Sequence, residues 1–468
     1  LARLVIVSNR VALPSEHPPG GFALAMRTAL RETGGLWFGW SGRVAAGGSE
    51  TLHRQQEGNV SFLTLDFTRR EHADFYAGFA NRTLWPLLHF RPGLVDFSRN
   101  HWDAYLSVNT RFAEHLARLV QPDDLVWVHD YHLIPLAAML RAREVRARLG
   151  FFLHTPLPPP ELLELLPIHR ELFESLADYD LVGFHTTDYL RAFHGYLRQH
   201  AGAEINESGM ISVRGGRRSL RTGVFPIGID VREVESQAQA AVTGEECTEL
   251  SRSLAGRALI IGVDRLDYSK GLVERFRAFG ELLDRHPEHR RQVTMLQIAP
   301  PSRTEVSEYR RMRRELERIA GAINGRLAEP DWTPLRYVNQ SYTQAALAGF
   351  YRLARIGFVT PLRDGMNLVA KEYIASQDPE DPGALVLSRF AGAARELDDA
   401  ILVNPYDIEG MAASLHAGLV MSRDDRRKRW ARMMDVLREH DITAWRQGFL
   451  AALSTRSVET ALACATPR

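Results

Sequence analysis

Two short stretches set charged side chains where a chain usually builds core. In GVDRLDYSKGL, Arg265 and Lys270 follow an apolar run, and Gly271 opens a helical segment. Two fixed cations beside a helix N-terminus suit a diphosphate, because side-chain charge and helix dipole act on the same anion. The second stretch, FVTPLRDGMNLVAKEY, ends an apolar run at Pro361, turns through Asp364, Gly365, Met366 and Asn367, and re-enters an apolar segment with Lys371 and Glu372. Its turn offers backbone N–H groups at a helix start, suited to an anion or a sugar hydroxyl. Glu372 falls on one helical face with Leu368 and Asp364. There a carboxylate can accept both hydroxyls of a ribose. A capped core helix with a surface Lys–Glu pair explains the apolar run but leaves the charged turn unexplained. Lysine is rare, occurring only as Lys270, Lys371 and Lys428. Lysine and arginine do different work at binding sites, so Lys270 reads as functional. Lys371, adjacent to Glu372, points off its face.

Other candidates also stand at the ends of apolar runs. Arg10 follows RLVIVSN, as a phosphate clamp or a surface charge, and Gly20–Gly21 precede a helical segment. A glycine pair there lets backbone approach a phosphate or sugar oxygen, or simply turns the chain. It lacks the spacing of a dinucleotide fingerprint. WVHDYHL ends a run with His129, Asp130 and His132. Asp130 suits a sugar hydroxyl; a metal reading of the three lacks a further well-spaced ligand. His154 closes FFLH before a proline bend, as structural histidine or ligand contact, and Arg303 follows QIAPPS. Trp37, Trp40, Tyr76 and Trp85 are sugar-stacking or core aromatics.

The elements that must position these residues alternate. RLVIVS, DLVWVH, LGFFLH and DLVGFH, then ALIIGVD, QVTMLQIA, RIGFVT, ALVLS and AILVNP, read as buried parallel strands. Amphipathic segments such as LVERFRAFGELLDRH and EYRRMRRELERIAGAI lie between them. The expectation is an α/β protein with two Rossmann-like domains of parallel sheet facing each other across a cleft, with ligands outside the carboxyl ends of the strands. A polar stretch over 231–256 marks the boundary, giving domains 1–230 and 231–440. A helix near 440–455 packs back on the first domain, and 455–468 forms a weakly patterned tail.

Bulk properties narrow the class. The chain has 468 residues, 45% hydrophobic and 25% charged, with net charge +1. That is a globular composition, with no electrostatic reason to expect nucleic acid or a membrane surface as partner. Its two cysteines lack ligand spacing. No apolar stretch reaches the ~18 residues of a membrane span. The opening lacks signal-peptide architecture, and a cytoplasmic location is expected.

Together GGLWFGWSG, WVHDYHL, YDLVGFHT, DRLDYSKG, QIAPPSR and TPLRDGMNLVAKEY resemble the trehalose-6-phosphate synthase family, retaining glycosyltransferases of the two-Rossmann-domain (GT-B) kind. The likeness runs from RLVIVSNR to about Leu453. It implies transfer of glucose from a nucleotide sugar, usually UDP-glucose, to glucose 6-phosphate. By this resemblance Arg10, Trp40, Tyr76, Trp85, Asp130 and Arg303 hold the acceptor, with Arg10 and Arg303 on its phosphate. Gly20, Gly21, Arg265 and Lys270 hold the donor diphosphate. His154, Asp364, Gly365, Met366 and Asn367 hold the transferred glucose. Leu368, Val369 and Glu372 meet the nucleoside, with Ala370 and Lys371 counted in the same donor-binding stretch and Tyr342 near the base. Trp85 and Thr155 shape the pocket that fixes the product anomer. The resemblance implies no metal or other cofactor, a front-face mechanism and a homo-oligomer. The chain departs from the family pattern in GGF for GGL, in a short segment between Arg10 and Gly20, and at Thr155 and Arg355. A sister synthase for glycerol 3-phosphate, a non-catalytic sugar-phosphate sensor and a metal hydrolase on His129, Asp130 and His132 are the rival readings.

Overall fold

The computed structural model describes residues 2–14, 21–45, 51–206, 210–213, 218–303 and 306–455. Gly20 and the tail beyond 455 lie outside the described residues. The chain divides into two units, Leu1–Phe225 with Ala444–Arg468, and Pro226–Thr443. The division falls a few residues before the polar stretch, which itself forms helices Val231–Ala241 and Glu245–Leu254 of the second unit.

The first unit is built on a ten-stranded sheet. Its strands are β1 (Leu4–Arg10), β2 (Gly35–Ala45), β3 (His53–Glu57), β4 (Val60–Thr68), β5 (Leu125–His129), β6 (Arg148–Phe152), β7 (Leu181–Phe184), β8 (Glu204–Ile205), β9 (Met210–Val213) and β10 (Arg218–Val224). They lie in the order β3-β4-β2-β1-β5-β6-β7-β10-β9-β8. From β4 to β10 neighbours run parallel, and β3, β9 and β8 add antiparallel edges. The apolar runs of β1, β5, β6 and β7 are buried almost throughout, as strands covered on both faces must be.

Helix Ile442–Ser454 closes this unit. Phe449 is buried and stacks on Trp127 with centroids 4.6 Å apart, and Trp445 lies 4.9 Å from the same ring. The sequence makes room for it. A Cβ on Gly150 of β6 or Gly183 of β7 would stand 2.9 Å or 2.8 Å from the Phe449 ring. Two bare strand positions thus form the seat of one aromatic side chain.

The second unit carries six parallel strands, β11 (Ala258–Val263), β12 (Val293–Ile298), β13 (Leu335–Val338), β14 (Ile356–Val359), β15 (Ala384–Ser388) and β16 (Ile401–Val403). Their order is β13-β12-β11-β14-β15-β16, that of a doubly wound nucleotide-binding sheet. Phe276, Phe279, Leu282 and Leu283 of helix Leu272–Arg285 share one core with Met411 and Leu415 of helix Ile408–Val420 and with the strands. Among the described residues no helix is long and apolar enough to cross a membrane.

Candidate active site

In the second sheet the strand order reverses between β11 and β14, where such folds bind ligands. The β11 loop carries Arg265, Asp267 and Lys270; the β14 loop carries Arg363 and Asp364. Lys270 Nζ donates to Asp364 Oδ2 at 2.5 Å, joining the two loops. Gly271 permits this approach. Its φ is +65°, and a Cβ there would stand 2.1 Å from the Thr360 carbonyl oxygen. Leu362 N–H donates to the Ser269 carbonyl at 2.7 Å.

Beneath the loops lies a buried polar network. Arg275 donates to Asp264 Oδ2 at 2.7 Å, Gln297 Oε1 at 2.9 Å and Thr360 Oγ1 at 3.1 Å. Burial pushes the Asp264 carboxyl up, and Arg275 and Lys270 pull it back. The guanidinium is fully enclosed, so its satisfied donors tie β11, β12 and β14 at their carboxyl ends.

The Asp364 turn is held from both sides. Asp364 N–H donates to the Phe390 carbonyl at 3.1 Å, and Asp364 Oδ2 accepts from Asn367 Nδ2 at 2.9 Å. Asn367, with φ +78°, caps helix Leu368–Ala375 by accepting from Ala370 N–H. The N–H groups of Leu368 and Val369 open that helix, where no intrahelical acceptor exists. Glu372 is partly buried in the same helix, and burial pushes its carboxyl up to about 7. Tyr342 packs edge-on to Phe350 at 5.2 Å. Arg303 is held by Asp267 Oδ2 at 2.9 Å and Tyr309 Oη at 2.7 Å.

The first sheet reverses between β1 and β5. Arg10 ends β1, and its guanidinium crosses Gly42 so closely that a Cβ there would lie 2.9 Å from Arg10 Cζ. Asp130 follows β5 with φ +73°, a costly conformation for this residue. Its Oδ1 accepts from His154 N–H at 3.2 Å, and its own N–H donates to the Phe152 carbonyl at 2.8 Å. His154 Nε2 pairs with buried His129 Nδ1 at 3.1 Å. Burial holds both imidazoles well below the usual histidine range, with His154 adding to the effect on His129 and His185 to that on His154. Tyr76 projects from a wide π-helical segment, His72–Leu84, a geometry frequent at functional sites. Trp40 stacks on Phe67 at 4.7 Å and meets Tyr76 at 5.5 Å; Trp85 meets Tyr131 at 5.7 Å. Thr155 is buried beside His154.

Residues 7–455 match glycosyltransferase family 20. The chain belongs to that family. It is 48% identical over 463 residues to the trehalose-6-phosphate synthase of Sinorhizobium fredii, covering 98% of this chain and 99% of that one. A solved α,α-trehalose-phosphate synthase (UDP-forming) from Burkholderia xenovorans in complex with glucose-6-phosphate matches with TM-score 0.94 and 48% identity, over 97% of this chain and 100% of that one. The Escherichia coli trehalose-6-phosphate enzyme bound with UDP-2-fluoro glucose matches with TM-score 0.93 and 44% identity, at the same coverage.

Within this family 20 glycosyltransferase the expected residues gather in two groups. Arg10, Trp40, Tyr76, Trp85, Asp130, His154 and Thr155 belong to the first unit, as does Gly21, the first residue of helix Gly21–Thr33. Arg265, Lys270, Arg303, Tyr342 and the segment Asp364 to Glu372 belong to the second. Ala370 and Lys371, counted in the donor-binding stretch, have side chains fully buried in the fold. Lys371 Nζ donates to Glu396 Oε2 at 2.7 Å and to the Ile227 carbonyl at 2.8 Å, so it fastens its helix to the start of the unit. His129, Asp130 and His132 make other contacts in this structure. Among the described residues the groups with ligand atoms close enough for an ion do not include these three. His129 spends Nδ1 on His154, and the His132 ring stacks on Tyr76.

Asp267, Tyr309 and Arg275 support the site and are not among the residues its sequence motifs single out. Asp267 sits inside the DRLDYSKG motif, which was a usable signal. Arg275 and Tyr309 look in sequence like surface positions of amphipathic helices, and only packing reveals them.

Proposed function

We propose that this chain transfers glucose from UDP-glucose to glucose 6-phosphate, giving α,α-trehalose 6-phosphate and UDP. Near full-length identity to trehalose-6-phosphate synthases carries the reading, and the strand-end geometry supplies a chemistry for it. Arg265 and Lys270 hold the donor diphosphate beside the start of helix Leu272–Arg285. Binding draws Lys270 from Asp364 toward the diphosphate and frees the carboxylate for hydroxyls of the transferred glucose, with the turn through Met366 and Asn367. Glu372 accepts the ribose hydroxyls. In the first unit, Arg10 faces the acceptor phosphate, and Asp130, Tyr76 and Trp85 hold its sugar ring. Arg303 of the second unit, held by Asp267 and Tyr309, is the other phosphate-binding cation of the family reading.

The bond from the anomeric carbon to the diphosphate oxygen breaks through an oxocarbenium-like state, and negative charge grows on the leaving oxygen. Cations already in place stabilise that charge where it appears, and they are the reason this reading requires no metal. The acceptor hydroxyl attacks from the face the diphosphate leaves, and its proton passes to the departing phosphate oxygen. Retention follows without a carboxylate nucleophile. Both substrates carry fixed charge and do not cross membranes unaided, which supports a cytoplasmic location. Self-association, part of the same family reading, is measured by light scattering.

The test is incubation with glucose 6-phosphate and each of UDP-, GDP- and ADP-glucose. UDP and a phosphorylated non-reducing disaccharide are expected; absence of nucleotide release with every donor overturns the reading.

A further inference from the structure

At the opposite end of the second sheet from Lys270 and Asp364, three histidines and a carboxylate converge. His286 follows the last residue of helix Leu272–Arg285, and Pro287 starts a single turn, Pro287–His289, that leads into β12. This tight connection delivers His286, Glu288 and His289 from one short segment. Helix Ile408–Val420, packed against the same core, brings His416 to them.

The donor atoms stand close enough for small side-chain rotations to bring them onto one ion. His286 Nδ1 lies 3.2 Å from Glu288 Oε1, and His416 Nδ1 lies 3.9 Å from the same oxygen. The ligand atoms of His286, Glu288 and His416 all fall within 4.8 Å of one another. Tetrahedral zinc with ligands at about 2.0–2.2 Å sets its donors roughly 3.4 Å apart. His289 Nε2 hydrogen-bonds His416 Nδ1 at 2.9 Å and so orients that ring beside the set. The rings of His286 and His416 stack at 3.8 Å with planes 10° apart. Imidazole lone pairs lie in the ring plane, so an ion shared by the two requires one ring to turn out of the stack. The neighbouring Arg285 is already paired with Glu281 and Glu409, so a carboxylate neutralises the nearest guanidinium. Nothing in the transfer reaction uses these residues.

We propose that His286, Glu288 and His416, with water in the fourth position, bind a divalent transition-metal ion of the zinc class. The ion clips the connection before β12 to helix Ile408–Val420. Imidazole and carboxylate donors suit such an ion and not magnesium or calcium, which prefer shells of oxygen alone. The site stands apart from the catalytic residues and does not depend on the assigned reaction.

The full chain, stripped with EDTA and desalted, is loaded with zinc chloride, desalted again and assayed for bound metal. We expect about one zinc retained per chain and a melting temperature raised by a few degrees. His416→Ala and Glu288→Gln each retain less than about a tenth of that zinc, and His53→Ala, an exposed histidine elsewhere, retains all of it. Glu288 is 57% exposed, so its amide variant keeps the fold and isolates the ligand. Retention below about a fifth of an equivalent by the wild-type chain, or equal retention by Glu288→Gln and the wild type, overturns the site.

Discussion

Lys270 Nζ rests on Asp364 Oδ2 at 2.5 Å, across the two loops that meet at the switch point of the second sheet. Each side chain is only 14% and 13% exposed, so the pair holds the two loops in a fixed relation before any ligand arrives. The donor anion must compete with Asp364 for the amine. Lys270→Ala removes a cation aimed at developing charge, and kcat at saturating substrates is expected to fall by about 100- to 1000-fold. Lys270→Arg, with a planar head in place of a compact one, recovers little of it. Steady-state kinetics on both variants checks this, and turnover near wild type refutes the assigned role.

Glu372 gives a pH dependence whose sign is fixed. Its carboxyl rises from 4.5 to about 7 because it is buried. The protonated native form contributes stability present below the unfolded value and lost as pH rises through about 7. Glu372→Gln keeps that neutral shape, so the empty variant is expected to exceed the wild type by about 2 kcal/mol at roughly pH 8, with the gap narrowing below about pH 7 and closing only below about pH 4. Ribose recognition runs the other way, because the carboxylate is the better acceptor. The KM for UDP-glucose should fall as pH rises past about 7 in the wild type and stay high and flat in Glu372→Gln. Urea unfolding and KM profiles read the two effects separately.

The strand-end residues were legible because parallel strands advertise themselves. Apolar runs such as those of β1, β5, β11 and β14 have no polar alternation, and each ends at a charged or polar residue. Strand β2 escaped notice as a strand because its glycines and tryptophans resemble a turn-rich aromatic patch. Strand β13 is four residues long, with Arg336 and Tyr337 half-exposed, too short for any period. Lys371 shows a different limit. One residue from Glu372, it points off that residue's face, but only the positions of Glu396 and Ile227 reveal where its amine ends.

Arg275 carries the hidden cost of that limit. It occupies a helix whose other arginines are exposed, yet it is fully buried against Asp264, Gln297 and Thr360. Arg275→Ala would leave Asp264 charged and enclosed with its principal partner gone, and should destabilise the chain by about 3–5 kcal/mol. Arg275→Met with Asp264→Leu removes both charges and should recover most of that stability, because an apolar pair avoids the desolvation of ions. Activity would not return with it, since the β11 and β14 ends lose their common hydrogen-bonded tie. Chemical unfolding alongside turnover separates the two consequences.

Phe449 tests the seat of the closing helix. It is buried in the gap left by Gly150 and Gly183 and stacks on Trp127 at 4.6 Å. Phe449→Ala empties that gap and should cost about 3–5 kcal/mol. Gly183→Ala attacks the same contact from the strand, where the added Cβ would meet the ring at 2.8 Å and the Phe152 ring at 2.8 Å. With aromatic neighbours on two sides the rings cannot simply swing away, so overpacking of about 1–3 kcal/mol is expected. The double variant decides whether the two belong to one contact. If Phe449 is what Gly183 accommodates, the alanine methyl enters space the lost ring vacated. The combined loss should then be smaller than the sum of the single losses, by more than about 0.5 kcal/mol. A strictly additive double variant would show that the glycine is required by the Phe152 and Phe225 rings and not by Phe449.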